Sequence, residues 1–124
     1  MTIRKSRSGG FTLVEIMIVV AIIGLLATVA VPNFVKARTT AQKNVCISNL
    51  QKLEGAIQTW AMETKQGPDS PVTFTDISPY LKNSITCPSG GKTFGDSYQL
   101  GTVNDRPTCK KDPTNHKLPD ETLN

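Results

Sequence analysis

The sequence has few of the residues that catalytic and metal sites use. It contains one histidine, His116, and three cysteines, Cys46, Cys87 and Cys109, with no Cys-x-x-Cys pair. A zinc site of familiar spacing is therefore not predicted. The sequence also has no phosphate-binding loop, no Gly-x-Ser-x-Gly and no His-Glu-x-x-His motif. These absences argue against an enzyme, and we predict neither a cofactor nor a bound metal.

Aromatic residues and a general excess of positive charge are also scarce. Aromatic residues make up 6% of the chain, too few for a base-stacking platform. The net charge is +4, but Arg4, Lys5 and Arg7 fall within the first seven residues. Without them eleven cationic and ten anionic side chains remain, a net charge of +1. The positive charge thus indicates a targeting or topology signal, and no nucleic-acid partner is expected.

The sequence does contain a long apolar run near its N-terminus. From Phe11 to Val31 it is 21 residues long, about 31 Å as a helix, which matches a hydrocarbon core of ~30 Å. The cations before the run predict a cytoplasmic N-terminus. A secretory signal peptide cut near Ala30 and a plain single-pass anchor are two ordinary interpretations. Neither explains the acidic Glu15 within the run or the Gly9-Gly10 pair before it.

A more specific interpretation comes from the stretch "GGFTLVEIMIVVAIIGLLATVAVPNF" and the short basic leader before it. Together they closely resemble the N-terminal signature of type IV pilins and type II secretion pseudopilins, over about Arg4 to Arg38. The resemblance implies that a prepilin peptidase cuts after Gly10 on the cytoplasmic side of the membrane. Phe11 would then become the N-methylated first residue of the mature chain.

The resemblance also gives Glu15 a role in assembly. A carboxylate in hydrocarbon costs roughly 2.5–3.5 kcal/mol on insertion scales, so a compensating charge is expected. Cleavage creates one, the amine of Phe11, and the family resemblance implies that Glu15 pairs with this amine on a neighbouring subunit. Gly24 and Pro32 are expected to bound a segment that loosens in the filament. The plainer interpretation is that glycine is common in membrane helices and that proline marks the bilayer edge.

After Pro32 the pattern becomes amphipathic. Apolar residues recur at helical spacing from Cys46 to Trp60, through Leu50, Leu53 and Ile57. Further on, Thr75 is a candidate helix cap, and the region around Tyr98 predicts short strands. The predicted fold class is α+β and pilin-like, with a long N-terminal helix packed on a small antiparallel sheet. The predicted segments are a cleaved leader (1–10), a transmembrane and assembly helix (11–32), an amphipathic helix (33–66) and a small globular region (67–124).

The cysteines and the C-terminal aspartates have separate predicted roles. Cys46 lies on the apolar stripe and is expected to be a buried free thiol. Cys87 and Cys109 flank the strand segment, and in an exported domain a disulfide between them would close a loop of about 23 residues, worth roughly 3 kcal/mol. Major pseudopilins, which this sequence resembles, often hold a calcium ion in the C-terminal loop, but no calcium-binding loop can be recognised in this sequence. We therefore predict ordinary turn roles for Asp96, Asp105 and Asp112.

The favoured function is a structural subunit of a type II secretion-like pseudopilus that helps to export proteins. The expected partners are copies of itself in a helical filament, the prepilin peptidase, an inner-membrane assembly platform and minor pseudopilins. The subunit is expected in the bacterial inner membrane before assembly and in a cell-envelope filament afterwards. A type IV pilin for adhesion, motility or DNA uptake is the near alternative, and a secreted ligand-binding domain is the distant one. A mature N-terminus at Phe11 favours a filament subunit, whereas one at Val31 favours the secreted domain.

Overall fold

The computed structural model describes residue 2 and residues 9–120. The three cations of the leader lie outside the described residues. The chain divides into two compact units, Met1–Ala37 and Arg38–Asn124, and each is described here by itself.

One long helix, α1, spans Leu13–Thr64 and contains Pro32. A proline removes one backbone donor, and the remaining hydrogen bonds of the ladder carry the helix past it. Up to Val35 the large apolar side chains of α1 are exposed. An 18-residue window of this helix has a mean hydropathy of 2.7 and no buried residue, so α1 is long and apolar enough to cross a membrane.

The C-terminal part of α1 supplies one wall of the hydrophobic core. The predicted stripe is confirmed at four positions, because Cys46, Leu50, Leu53 and Ile57 are almost completely buried. Trp60 is only partly buried and packs against the same cluster. The helix ends at Thr64, and Lys65 follows in a left-handed conformation with φ of 55°.

A short helix, α2 (Phe74–Ile77), continues into a 3-10 turn at Ser78–Tyr80. The prediction of Thr75 as its cap is wrong, because the N-cap is Thr73. The backbone N–H and the hydroxyl of Thr73 donate to Asp76 Oδ2 at 2.9 and 2.6 Å. Asp76 lies three residues after Thr73, which is the spacing that lets a side chain reach back to the N-cap.

A third short helix, α3 (Phe94–Ser97), leads directly into the sheet. Strands β1 (Tyr98–Gln99) and β2 (Thr108–Cys109) pair antiparallel, with Tyr98 opposite Cys109. The side chains of Tyr98 and Cys109 are buried with those of α1 in one core. The α+β fold, a long N-terminal helix with a small antiparallel sheet, is therefore confirmed.

Candidate functional site

The predicted cleavage site is exposed in the described part of the subunit. Phe11 is 86% exposed. A Cβ built on Gly10 meets no heavy atom within 4 Å. The subunit itself therefore does not require glycine at position 10, and any requirement for it must come from a partner that binds this segment.

Glu15 caps the first turn of α1. The backbone N–H of Thr12 donates to Glu15 Oε2 at 2.8 Å, and the backbone N–H of Glu15 donates to Thr12 Oγ1 at 3.2 Å. This reciprocal pair is a capping box, and a carboxylate at a helix N-terminus also interacts favourably with the helix dipole. This local role was not predicted from the sequence, although Thr-x-x-Glu before an apolar run is its signature. One carboxylate oxygen thus has a partner within the subunit.

Gly24 and Pro32, which are predicted to bound a segment that loosens in the filament, both lie within the continuous helix α1. A Cβ on Gly24 would meet nothing within 4 Å, so this glycine leaves an open notch on an exposed face. Before Pro32, the hydroxyl of Thr28 donates to the carbonyl of Leu25 at 2.6 Å. The carbonyl that Pro32 leaves without a helical donor is that of Thr28 itself, four residues earlier, so this bond to Leu25 does not replace the missing one. The loosening between Gly24 and Pro32 concerns the assembled filament and stays a prediction.

The apolar surface of α1 is the largest exposed feature of the N-terminal unit. Its side chains from Leu13 to Val35 remain between about half and four-fifths exposed. Contiguous apolar surface on this scale marks a site that is covered by lipid or by protein. The arrangement fits a helix that is surrounded by lipid at one stage and by other helices at another.

The second candidate site is a buried cluster of sulfur and nitrogen atoms in the C-terminal unit. Cys46, Cys87, Cys109 and His116 are 0%, 1%, 1% and 3% exposed. One potential ligand atom from each of the four lies within 4.8 Å of all the others. The sequence did not predict this grouping, because the four residues come from α1, a loop, β2 and the C-terminal tail.

The three thiols of this cluster are free in the structure. The Sγ atoms of Cys87 and Cys109 are 3.6 Å apart. Burial raises the pKa of the Cys46 thiol above its ordinary value, and contacts with Cys109 and Cys87 raise it further. The predicted burial of Cys46 is confirmed, and the disulfide between Cys87 and Cys109 stays a prediction.

The three C-terminal aspartates serve local turns. Asp96 accepts from the backbone of Lys92 and pairs with Lys111 at 2.9 Å. Asp105 accepts two hydrogen bonds from Thr102, at 3.0 Å from its backbone N–H and at 2.9 Å from its hydroxyl. Asp112 accepts from the backbone and side chain of Asn115. These bonds hold the pKa of each carboxyl below its ordinary value.

Comparison with known proteins finds the pilin-type signature at the N-terminus and a similarity that reaches into the globular unit. Residues 5–31 match the model of the prokaryotic N-terminal methylation motif. The type II secretion system core protein G of Klebsiella pneumoniae is 34% identical over 107 residues, which cover 76% of this chain and 74% of that protein. The protein of the same name from Aeromonas hydrophila is 33% identical over 82 residues, 61% of this chain and 57% of that protein.

A type IV pilin is similar over a shorter stretch. The type IV major pilin protein PilA of Myxococcus xanthus is 46% identical over 57 residues, which cover 46% of this chain and 26% of the pilin. No solved structure matches the chain.

Proposed function

The chain belongs to the family of type IV pilins and type II secretion pseudopilins, and from this premise we propose that it is a structural subunit of a type II secretion-like pseudopilus. The observation that carries the proposal is the length of the similarity to core protein G. It reaches beyond the methylation motif into the globular unit.

Processing is the first step of the proposed role. The prepilin peptidase would cut between Gly10 and Phe11 and remove the basic leader, and methylation would follow on the Phe11 amine. The exposure of Phe11 and the free space around Gly10 leave this segment accessible to both reactions. Neither step requires a change in the described part of the subunit.

Assembly is the second step. In the membrane, lipid covers the exposed apolar surface of α1, and in the filament the helices of neighbouring subunits replace the lipid. The Phe11 amine of one subunit pairs with Glu15 of its neighbour, while the capping bond from Thr12 holds that carboxylate at the helix start. An unpaired charge is costly in this apolar surrounding, so the pair selects one axial register between subunits.

The proposed segments follow the order of basic, apolar and amphipathic stretches along the chain. Residues 1–10 are the leader, 11–32 the transmembrane and assembly helix, 33–66 the amphipathic helix and 67–124 the globular region. The subunit starts in the inner membrane with its N-terminus in the cytoplasm and then enters a filament in the cell envelope. Its partners are other copies of the chain, the peptidase, the assembly platform and minor pseudopilins, and its role is structural, not enzymatic.

A type IV pilin subunit is the second candidate function. The identity to the Myxococcus xanthus pilin is the observation in its favour, but it covers less of this chain than the similarity to core protein G does. The small globular unit, about 87 residues from Arg38 onward, also favours a pseudopilin.

Deletion of the gene separates the two functions. Loss of proteins from the culture medium, with surface pili and twitching unchanged, supports the pseudopilus. Loss of surface pili with normal protein export supports the pilin instead. Complementation with the parent chain and with Glu15→Leu provides the matched control, because only the assembly-competent chain should restore the lost phenotype.

A further inference from the structure

The four buried side chains Cys46, Cys87, Cys109 and His116 have the arrangement of a metal site. The Sγ atoms of Cys87 and Cys109 are 3.6 Å apart, and each lies close to His116 Nδ1, at 3.8 and 3.9 Å. Cys46 Sγ completes the group, in which all four ligand atoms lie within 4.8 Å of one another. The four atoms are therefore close enough together to reach one ion.

These separations are close to those of ligands around zinc. Zinc binds thiolate sulfur at about 2.3 Å and imidazole nitrogen at about 2.0–2.1 Å. In a regular tetrahedron these lengths place two sulfurs about 3.8 Å apart, and a sulfur and a nitrogen about 3.5–3.6 Å apart. A covalent disulfide would instead require about 2.05 Å between two sulfurs. The three separations given above differ from these tetrahedral values by a few tenths of an ångström, and the widest separation in the group, at most 4.8 Å, would close by up to about 1 Å on binding.

We propose that these residues bind one Zn²⁺ ion through three thiolates and the Nδ1 atom of His116. The three thiols lose one proton each on binding, the imidazole binds in its neutral form, and no atom is oxidised or reduced. Thiolates and one imidazole in tetrahedral array are the donor set of structural zinc. Because the protein fills all four positions and buries them, the site has no open position for catalysis.

Local structure holds two of the ligands in place independently of one another. After Cys87 the chain turns sharply, and Gly91 N–H donates to the Cys87 carbonyl at 2.8 Å. Gly90 adopts φ of 107°, and a Cβ on Gly91 would lie 2.0 Å from Ser97 Oγ. Both glycines are therefore required for the turn that presents the Cys87 thiol.

The C-terminal tail is folded in a way that presents His116. The N–H of His116 donates to the Asp112 carbonyl at 2.9 Å, and the Asp112 side chain accepts from Asn115. Leu118 then packs into the core with 5% exposure. These hydrogen bonds and this packing bring the imidazole to the three thiols.

Zinc at this position would join four separate structural elements of the globular unit. It would link α1, the loop after Ile85, strand β2 and the C-terminal tail. Small domains bury too little surface to be very stable on their own and often use a metal or a disulfide. The zinc site and the disulfide between Cys87 and Cys109 exclude each other, because the disulfide consumes two of the ligands.

The test uses the full-length chain, extracted from membranes in mild detergent without chelator, with metal content measured by mass spectrometry. We expect one zinc per chain and no disulfide. Replacement of zinc by Co²⁺ should give tetrahedral ligand-field bands and a sulfur-to-cobalt charge-transfer band. Iron or copper at one equivalent, with no zinc, would overturn the assignment of the metal.

Four variants separate the zinc site from the disulfide and from general misfolding. Cys46→Ser and His116→Gln should each lose most of the zinc, and the exposed Ser89→Ala should keep it. His116→Cys replaces one zinc ligand by another and should retain one zinc with a stronger charge-transfer band. Zinc content that is unchanged in Cys46→Ser, or a metal-free parent with Cys87 bonded to Cys109, would overturn the proposal. Either result leaves the filament role untouched, because that role is tested by processing and export.

Discussion

The assembly role of Glu15 can be separated from its capping role by two substitutions. Glu15→Leu removes both the charge and the acceptor for the Thr12 N–H, whereas Glu15→Gln removes the charge and keeps an acceptor of similar size. The two variants therefore differ in the capping of α1 and share the loss of the carboxylate. If charge pairing drives assembly, they should fail in the same way.

The expected free-energy changes favour normal membrane insertion and poor filament assembly of Glu15→Leu. Loss of the capping bond costs about 1 kcal/mol, while removal of the charge from hydrocarbon gains roughly 2.5–3.5 kcal/mol at the centre of a span and less toward its end. Glu15→Leu should thus enter the membrane at least as well as the parent. In the filament, removal of one partner of a buried ion pair costs about 3–5 kcal/mol, or more than a hundredfold in the affinity of one subunit contact.

Three quantities should be measured for each variant: membrane-bound subunit, the fraction with a processed N-terminus and the yield of sheared filaments. Both variants should be present in the membrane and strongly reduced in the filament fraction. Undiminished filament yield in both would refute charge pairing. Reduced yield in Glu15→Leu alone would show that capping, not charge, is what assembly requires.

Three further predictions concern other parts of the chain. Gly10→Phe should leave the leader attached, because a Cβ at position 10 meets nothing within 4 Å in the described part of the subunit, whereas we expect a bulky side chain not to fit the peptidase site; normal filaments of cleaved protein would contradict this. In a soluble fragment starting near Asn33, Leu53→Ala should lower the free energy of unfolding by about 2–5 kcal/mol in urea titration. The exposed control Gln51→Ala should have little effect. Asp105 stabilises its turn fully above its ordinary pKa of 3.8 and should lose this effect as pH falls through its lower folded value, which NMR titration of its carboxyl carbon can check.

Patterns that repeat locally in the sequence were sufficient to predict the long helix and the side of it that is buried. Apolar residues at steps of three and four place Leu50, Leu53 and Ile57 on one helix face wherever the rest of the chain goes. The helix also continues through Pro32, although a proline inside a helix typically costs about 3 kcal/mol or more.

The sulfur and nitrogen cluster could not be predicted in the same way. Zinc motifs are recognised by short spacings between cysteines, but here Cys87 is 29 residues from His116 and 22 from Cys109. Only the packing of the loop, β2 and the tail against α1 brings these atoms together. The six residues between Cys109 and His116 were the one local signal, and that spacing alone is too common to be specific. The cap of α2, by contrast, had a local signal, because Asp76 lies three residues after Thr73 and only one after Thr75, so only Thr73 has the spacing of a capping box.

The central claim, that this chain is a processed filament subunit, is tested most directly by the mass of the N-terminal peptide from sheared filaments. The account predicts a peptide that begins at Phe11 and carries one methyl group on its amine. A chain in the filament fraction that still begins at Met1, or a released protein that begins at Val31, would contradict it.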